Sequence, residues 1–167
     1  KLENHVEAIN DYKRALDISE RDINALQGLA GLLFDLKRYE EAIEYFNNVL
    51  GQNPNDLTSL KHLSICYYEE KFYKDAVASL KMLNNQMVDP DFQNLLGMAY
   101  YYLGDYQQAI SSFKMVSNLI PEFVDVNFFM GMSYYHDSDY LNAVENFKDA
   151  IRIYPDDTKS HVELGKS

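Results

Sequence analysis

Apolar and polar residues follow one another along this chain in steps of three and four, the spacing of helices that bury one side. Four segments repeat the same arrangement, in which a tyrosine opens the segment and an alanine follows three positions later. The alanines are Ala42, Ala76, Ala109 and Ala143, at spacings of 34, 33 and 34 residues, and Ala8 lies 34 residues before the first. A period near 34 predicts two-helix units stacked side by side.

A second pattern precedes each alanine and predicts the first helix of each unit. It carries one small residue among larger apolar ones, namely Ala30, Ser64, Gly97 and Gly131. We expect each small residue to face the alanine of the second helix, so that the two helices approach closely. Larger side chains four residues after the alanines then fill the space between successive pairs. They are Phe46, Leu80, Phe113 and Phe147.

Aspartates mark the predicted helix starts, because a carboxylate accepts hydrogen bonds from the unpaired backbone amides of a first turn. The expected caps are Asp22, Asp56, Asp89 and Asp157 for first helices and Asp105 and Asp139 for second helices. Pro90 follows Asp89 at the first helical position, where a proline is well tolerated. The junction before Phe123 lacks such a cap.

The small residues, the alanines, the aromatic residues and the closing prolines Pro54, Pro121 and Pro155 together resemble the tetratricopeptide repeat family over essentially the whole chain. The resemblance implies an all-α fold, a right-handed superhelical solenoid of antiparallel helix pairs. Complete repeats are expected at residues 23–56, 57–89, 90–123 and 124–157, the second being one residue short. Residues 1–22 would supply the second helix of an earlier repeat, and residues 158–167 would start a further one.

The predicted array begins and ends with an incomplete repeat, so an apolar stacking face would be left open at each end. A solenoid needs a polar cap over its last apolar face. We therefore expect a segment of a longer array, or an end that is buried against another molecule.

The charge of the chain excludes several classes of partner. There are 15 Lys and Arg against 26 Asp and Glu, a formal net charge of −11. Phosphate backbones and anionic membrane surfaces attract clustered positive charge, so we expect no nucleic acid partner. No apolar run approaches the roughly 20 residues of a membrane span, and we expect no membrane insertion. A single cysteine excludes an internal disulfide framework, and a cytoplasmic location is expected.

Residues that carry enzyme chemistry are scattered along the chain. His5, His62, His136 and His161 fall in different repeats without the spacing of metal ligands. Cys66 lies within an apolar run, which predicts a buried and unreactive thiol. The chain has no glycine-rich phosphate loop. We therefore expect no catalytic residues, no metal site and no cofactor, and a protein that is not an enzyme.

In the family that the chain resembles, the first helices line a concave groove that binds extended or helical peptides. Side chains at the second, fifth, ninth and thirteenth places of each repeat would point into it. The expected peptide contacts are Lys61, Ile65, Asn94, Met98, Tyr102, Phe128, Met132 and His136, and the expected acidic rim is Glu69, Asp91 and Asp125. Tyr68, Tyr101 and Tyr135 occupy a place that the family uses for packing, and they are expected to be structural.

One subclass of the family binds the C-terminal carboxylate of heat-shock chaperones through a set of Lys, Asn and Arg side chains. The matching places hold Gln27, Gly31, His62, Asp91 and Leu95. This set lacks the positive charges that would hold a carboxylate. The chain is therefore not expected to belong to that subclass.

The resulting hypothesis is a non-catalytic protein–protein interaction scaffold. Its groove would bind a peptide with apolar anchors and a basic flank attracted by the net charge of −11. Two alternatives stay open. The first is a self-assembling subunit that forms homo-oligomers through the groove or the open ends, which a concentration-dependent mass would favour. The second is a regulatory repeat segment of a larger enzyme, which a neighbouring catalytic domain would favour.

Overall fold

The structure is a computed structural model that describes residues 2–123, 125–155 and 158–166. This part of the chain consists of helices joined by short turns. In chain order the helices are α1 (Leu2–Ile18), α2 (Ile23–Asp35), α3 (Tyr39–Gln52), α4 (Leu57–Glu69), α5 (Tyr73–Asn84), α6 (Pro90–Leu103), α7 (Tyr106–Leu119), α8 (Val126–His136), α9 (Tyr140–Ile153) and α10 (Thr158–Leu164). The predicted all-α class is confirmed.

The chain divides into two compact units, residues 1–79 and 80–167, with the division inside α5. In the first unit α2 packs against α1 and α3, and α3 packs against α4. In the second unit each helix from α6 to α10 packs against the next, and α6 also contacts α8. Within each unit, helices that follow one another across short turns are packed together, which is the architecture of stacked helix pairs.

Two of the small residues, Gly97 and Gly131, allow an aromatic ring of the second helix to approach the first helix closely. The Cβ position of Gly97 lies 2.7 Å from the ring of Phe113, and that of Gly131 lies 2.7 Å from the ring of Phe147. The atoms nearest to each glycine therefore belong to the aromatic ring, and contact with the alanines stays a prediction. The glycine makes room for a ring that lies against the backbone of the first helix.

The aspartate caps are confirmed wherever the structure describes them. The carboxylates that accept a hydrogen bond from a first-turn amide are those of Asp22, Asp56, Asp89, Asp105 and Asp139. Asp157 lies outside the described residues. The junction that lacks a cap in the sequence also lacks one in the structure: Asp125 precedes α8 with a φ of 65° and makes no side-chain cap bond.

The same turn connects the two helices of each pair. The residue two positions before the second helix has a positive φ in all four cases: 58° at Lys37, 62° at Lys71, 79° at Gly104 and 65° at Ser138. The amide of the next residue donates to a carbonyl five positions earlier, as from Arg38 to Leu33 at 2.9 Å. This pattern of a left-handed residue and a return hydrogen bond ends an α-helix and reverses the chain.

An aromatic pair lies across each of these turns. The ring centroids are 5.6–5.9 Å apart in all four pairs. The pairs are Phe34–Tyr39, Tyr68–Tyr73, Tyr101–Tyr106 and Tyr135–Tyr140. The packing role expected for the tyrosines on the first helices is therefore confirmed.

Candidate functional site

Most of the predicted binding residues lie on α6 and α8, which contact each other in the second unit. On each helix these side chains follow steps of three and four, so they share one side of the helix. We call this surface the α6–α8 face. Its residues are Asp91, Asn94, Met98 and Tyr102 on α6, Asp125 at the start of α8, and Phe128, Met132 and His136 on α8.

The α6–α8 face changes character from one end to the other. Asp91 and Asp125 are exposed at the end where both helices start. Met98 and Met132 are half-buried in the middle of the two helices. At the far end Tyr102 exposes 48% of its surface. The face therefore combines an acidic end, an apolar middle and an aromatic end.

Asn94 brings a polar side chain into the apolar middle. Its Nδ2 donates to the sulfur of Met98 over 3.8 Å. Its Oδ1 is buried and accepts no hydrogen bond from the residues that the structure describes. A buried acceptor without a partner costs about 1–3 kcal/mol. The side chain thus has hydrogen-bonding capacity that the described residues leave unused.

His136, predicted as a groove contact, is placed among aromatic rings. It stacks on Tyr106 with a centroid distance of 5.0 Å and lies 5.9 Å from the ring of Tyr101. Its Nε2 is 3.5 Å from the hydroxyl oxygen of Tyr101. The residue remains exposed on its outer side. His136 therefore packs α8 against its neighbours as well as bordering the face.

Tyr101 is the residue of this region that the sequence did not assign to the site. Its ring contacts those of Tyr102, Tyr106, Phe129 and His136 at centroid distances of 5.4–5.9 Å. Burial raises the pKa of the Tyr101 phenol above its usual value. Tyr101 holds the two exposed rings of the aromatic end in place. Its repeated position indicated packing, but not that it joins these rings.

Phe128 is half-buried between two other rings. Its centroid lies 5.4 Å from that of Phe129 and 6.1 Å from that of Phe147. Phe147 is fully buried at the second helix of the same pair. The position of Phe128 is therefore fixed by the core, while part of its ring stays accessible on the face.

Three predicted residues lie elsewhere. Lys61 and Ile65 are half-buried on α4, and Glu69 is exposed at the end of that helix. All three belong to the first unit and are not part of the α6–α8 face. A contact role for them stays a prediction.

The described residues hold no metal-binding group, and their cysteine is buried. Within residues 2–123, 125–155 and 158–166, no group of three or more His, Cys, Asp or Glu could hold a metal ion. Cys66 is buried, and burial raises the pKa of its thiol to about 12. No helix in the described ranges has the length and apolar character needed to cross a membrane. The α6–α8 face provides apolar contact and hydrogen bonding.

Comparison with known proteins identifies the repeat. Models of the tetratricopeptide repeat match residues 1–63, 33–99 and 94–158. The structure of YrrB, described as a TPR protein with an unusual peptide-binding site, is 22% identical with a TM-score of 0.85, over 99% of this chain and 86% of that one. A MamA mutant is 22% identical with a TM-score of 0.82, over 99% and 90% of the two chains. A MamA from Desulfovibrio magneticus RS-1 is 22% identical with a TM-score of 0.78, over 92% and 88%. No curated protein matches the sequence.

Proposed function

Because the chain belongs to the tetratricopeptide repeat family, we propose that it is a non-catalytic interaction scaffold whose α6–α8 face binds a peptide. Repeats of this family bind other proteins or peptides, and no enzymatic family is indicated. The similar fold of YrrB, whose description names a peptide-binding site, agrees with this proposal. At 22% identity that likeness concerns the fold, so the argument for the site comes from the residues of this chain.

The observation that carries the proposal is the pair of half-buried methionines, Met98 and Met132, between the exposed acidic end and the exposed ring of Tyr102. A peptide with an apolar side chain would cover the accessible part of the two methionines. Met98 and Met132 suit such a role because an unbranched thioether adapts to different apolar shapes. The face thus favours an extended segment with at least one apolar anchor.

Charge favours a basic flank on that peptide. Asp91 and Asp125 are exposed at the same end of the face, and the net charge of the chain is −11. Such a field accelerates encounter with a positively charged segment and weakens as salt rises. We propose that the apolar anchor lies over the methionines and that Lys or Arg residues approach the two aspartates.

The test is selection of peptides from a displayed random library, followed by affinity measurement by fluorescence anisotropy. Met132→Ala is expected to weaken binding about tenfold, since burying a methionine is worth roughly 1.5–3 kcal/mol. Met82→Ala removes a methionine that is 49% exposed on α5, a helix that carries no residue of the face, and should bind like the parent chain. Circular dichroism would establish that both variants are folded. Equal affinities for the two variants would show that the α6–α8 face is not the site.

Self-association is the second candidate, and Leu141 favours it. This side chain is 86% exposed at the start of α9, whereas the corresponding places on α3, α5 and α7 hold Glu40, Lys74 and Gln107. An exposed leucine where the other repeats are polar suits contact with a second copy. Sedimentation equilibrium over a range of concentrations tests this, and Leu141→Gln should remove any concentration dependence of the mass.

A further inference from the structure

We infer that the peptide bound by this chain presents an aromatic side chain next to a Lys or Arg, and that the ring enters a cleft between α8 and α9. We call this cavity the α8–α9 cleft. The inference rests on the proposed function, because Phe128 belongs to both the α6–α8 face and the α8–α9 cleft. It is lined by Phe123, Asp125, Asn127, Phe128, Ala150, Ile153 and Tyr154.

The size of the cleft selects its occupant. Its volume is about 220 Å³. A cavity of roughly 150 Å³ lined by apolar side chains accepts a benzene ring, whereas pockets for drug-sized ligands run from about 300 to 1,000 Å³. The α8–α9 cleft therefore fits one ring-bearing side chain and is too small for most free organic ligands.

The sequence explains why the cleft occurs at this pair. At the place of Ala150, the preceding second helix has Val116, which is fully buried. At the place of Phe128, the preceding first helix has Asn94. The smaller residue on α9 leaves space, and the ring on α8 provides an aromatic wall. Because Phe128 is held by Phe129 and Phe147, the wall is in position before a ligand arrives.

The charge beside the cleft indicates which residue adjoins the aromatic side chain of the peptide. Among the described residues that line the cleft, Asp125 carries the charge, and it is exposed. Its carboxylate makes no cap bond to α8. Arg152, which precedes Ile153 in the chain, pairs with Asp149 at 3.1 Å. An exposed carboxylate beside an apolar cleft favours a ligand in which a positive charge adjoins the ring, and disfavours an acidic one.

The probe is the dipeptide N-acetyl-Phe-Arg-amide, titrated into the chain with ¹³C-labelled Ile and Met methyl groups. We expect saturable shifts of the Ile153 methyl, with Met82 as an unaffected reference. N-acetyl-Ala-Arg-amide tests the ring and N-acetyl-Phe-Glu-amide tests the charge. Each should bind at least fivefold more weakly than the first probe.

Two variants, each with a matched control, separate the cleft from the rest of the surface. Ala150→Val introduces the residue of the preceding pair and should weaken the Phe-Arg probe about tenfold, whereas the same change at the exposed Ala78 should not. Asp125→Asn should remove the preference for Arg over Glu, and Asp91→Asn should keep it. Since Asp125 is exposed and already has a positive φ, the asparagine variant remains informative even if Ala150→Val does not fold.

The outcomes distinguish this inference from the proposed function. Peptides selected from the library that shift the methyl groups of Met98 and Met132 but not Ile153 would overturn the cleft and leave the face as the site. Absence of a shift at all three would overturn both. Shifts of Ile153 on concentrating the chain alone would show that a second copy fills the cleft, which also overturns the peptide ligand.

Discussion

The imidazole of His136 is stacked on the phenol ring of Tyr106, with centroids 5.0 Å apart and planes 15° from parallel. Tyr106 opens α7 and His136 closes α8, so the contact joins two successive helix pairs of the second unit. The Tyr101 hydroxyl, 3.5 Å from His136 Nε2, reinforces it. These contacts stabilise the aromatic end of the α6–α8 face, which includes the exposed Tyr102.

Removing this stack should lower stability. His136→Ala is expected to reduce the free energy of unfolding by about 1 kcal/mol, the usual worth of an aromatic pair. His136→Phe keeps a ring at the same place and should retain most of that stability. Urea denaturation followed by circular dichroism measures both. An alanine variant as stable as the parent chain would mean that the stacking contributes nothing.

Gly97 should not tolerate even a methyl group. Its added Cβ would stand 2.7 Å from the ring of Phe113, and the ring is fully buried. Gly97→Ala is expected to cost about 1–3 kcal/mol through overpacking. Gly31 provides the control, because nothing lies within 4 Å of its Cβ position. Gly31→Ala should gain up to about 1 kcal/mol from helix propensity. Thermal and urea unfolding of the two variants should therefore shift in opposite directions.

Stability should fall in mild acid because of His62. Its ring lies 4.5 Å from that of Phe34 and 5.5 Å from that of Phe46, and burial lowers its pKa below the usual 6.5. The unfolded chain then binds a proton more readily than the folded chain. The contribution is intact above pH 6.5 and is lost as the pH falls from there through the folded-state pKa. Lys61 opposes protonation too, whereas Asp35 and Asp56 favour it.

The measurement for His62 is the urea midpoint between about pH 7.5 and about pH 5.5, the range in which an ordinary histidine titrates. His62→Phe preserves a ring without a titrating group and should show a flatter profile. The difference between the two profiles isolates the histidine from the carboxylates of the chain. Parallel profiles would exclude His62 as the cause.

The Cys66 thiol should be unreactive until the protein opens. It has no exposed surface, and its pKa is raised to about 12, mainly by burial. Because thiolate is the reactive form, Ellman's reagent should label the folded chain far more slowly than the chain unfolded in urea. The labelling rate should rise with urea in parallel with unfolding. Complete labelling within seconds in buffer would contradict the burial of this residue.

Helix starts were predictable because a cap is a local arrangement. The carboxylate of Asp22 reaches the amides of Asn24 and Ala25 at 2.9 and 3.2 Å, within three residues of the chain. For the start of α8, the sequence predicted only that no carboxylate caps the helix. Asp125 adopts a left-handed conformation there, and no short-range pattern in the sequence specifies it.

The residues of the α6–α8 face could also be grouped from the sequence, since periodicity determines which residues share one side of α6 or of α8. The side chains that pack against those residues could not be predicted in this way. The rings of Tyr101 and His136 meet although they are 35 positions apart, and the α8–α9 cleft requires Phe128 and Ala150 to come together from two helices. Such contacts depend on how helices pack, so His136 was predicted only as a ligand contact and Tyr101 only as a packing residue.

The left-handed turn residues have a consequence for protein engineering. The left-handed conformation costs a residue with a side chain about 1–2 kcal/mol. Among the four turn residues, only Gly104 avoids this cost. Lys37, Lys71 and Ser138 therefore each hold strain that a glycine would relieve, less the entropy a glycine loses on folding. None of the three belongs to the α6–α8 face. Replacing these three exposed residues by glycine should therefore raise the thermal stability of the chain without changing the α6–α8 face.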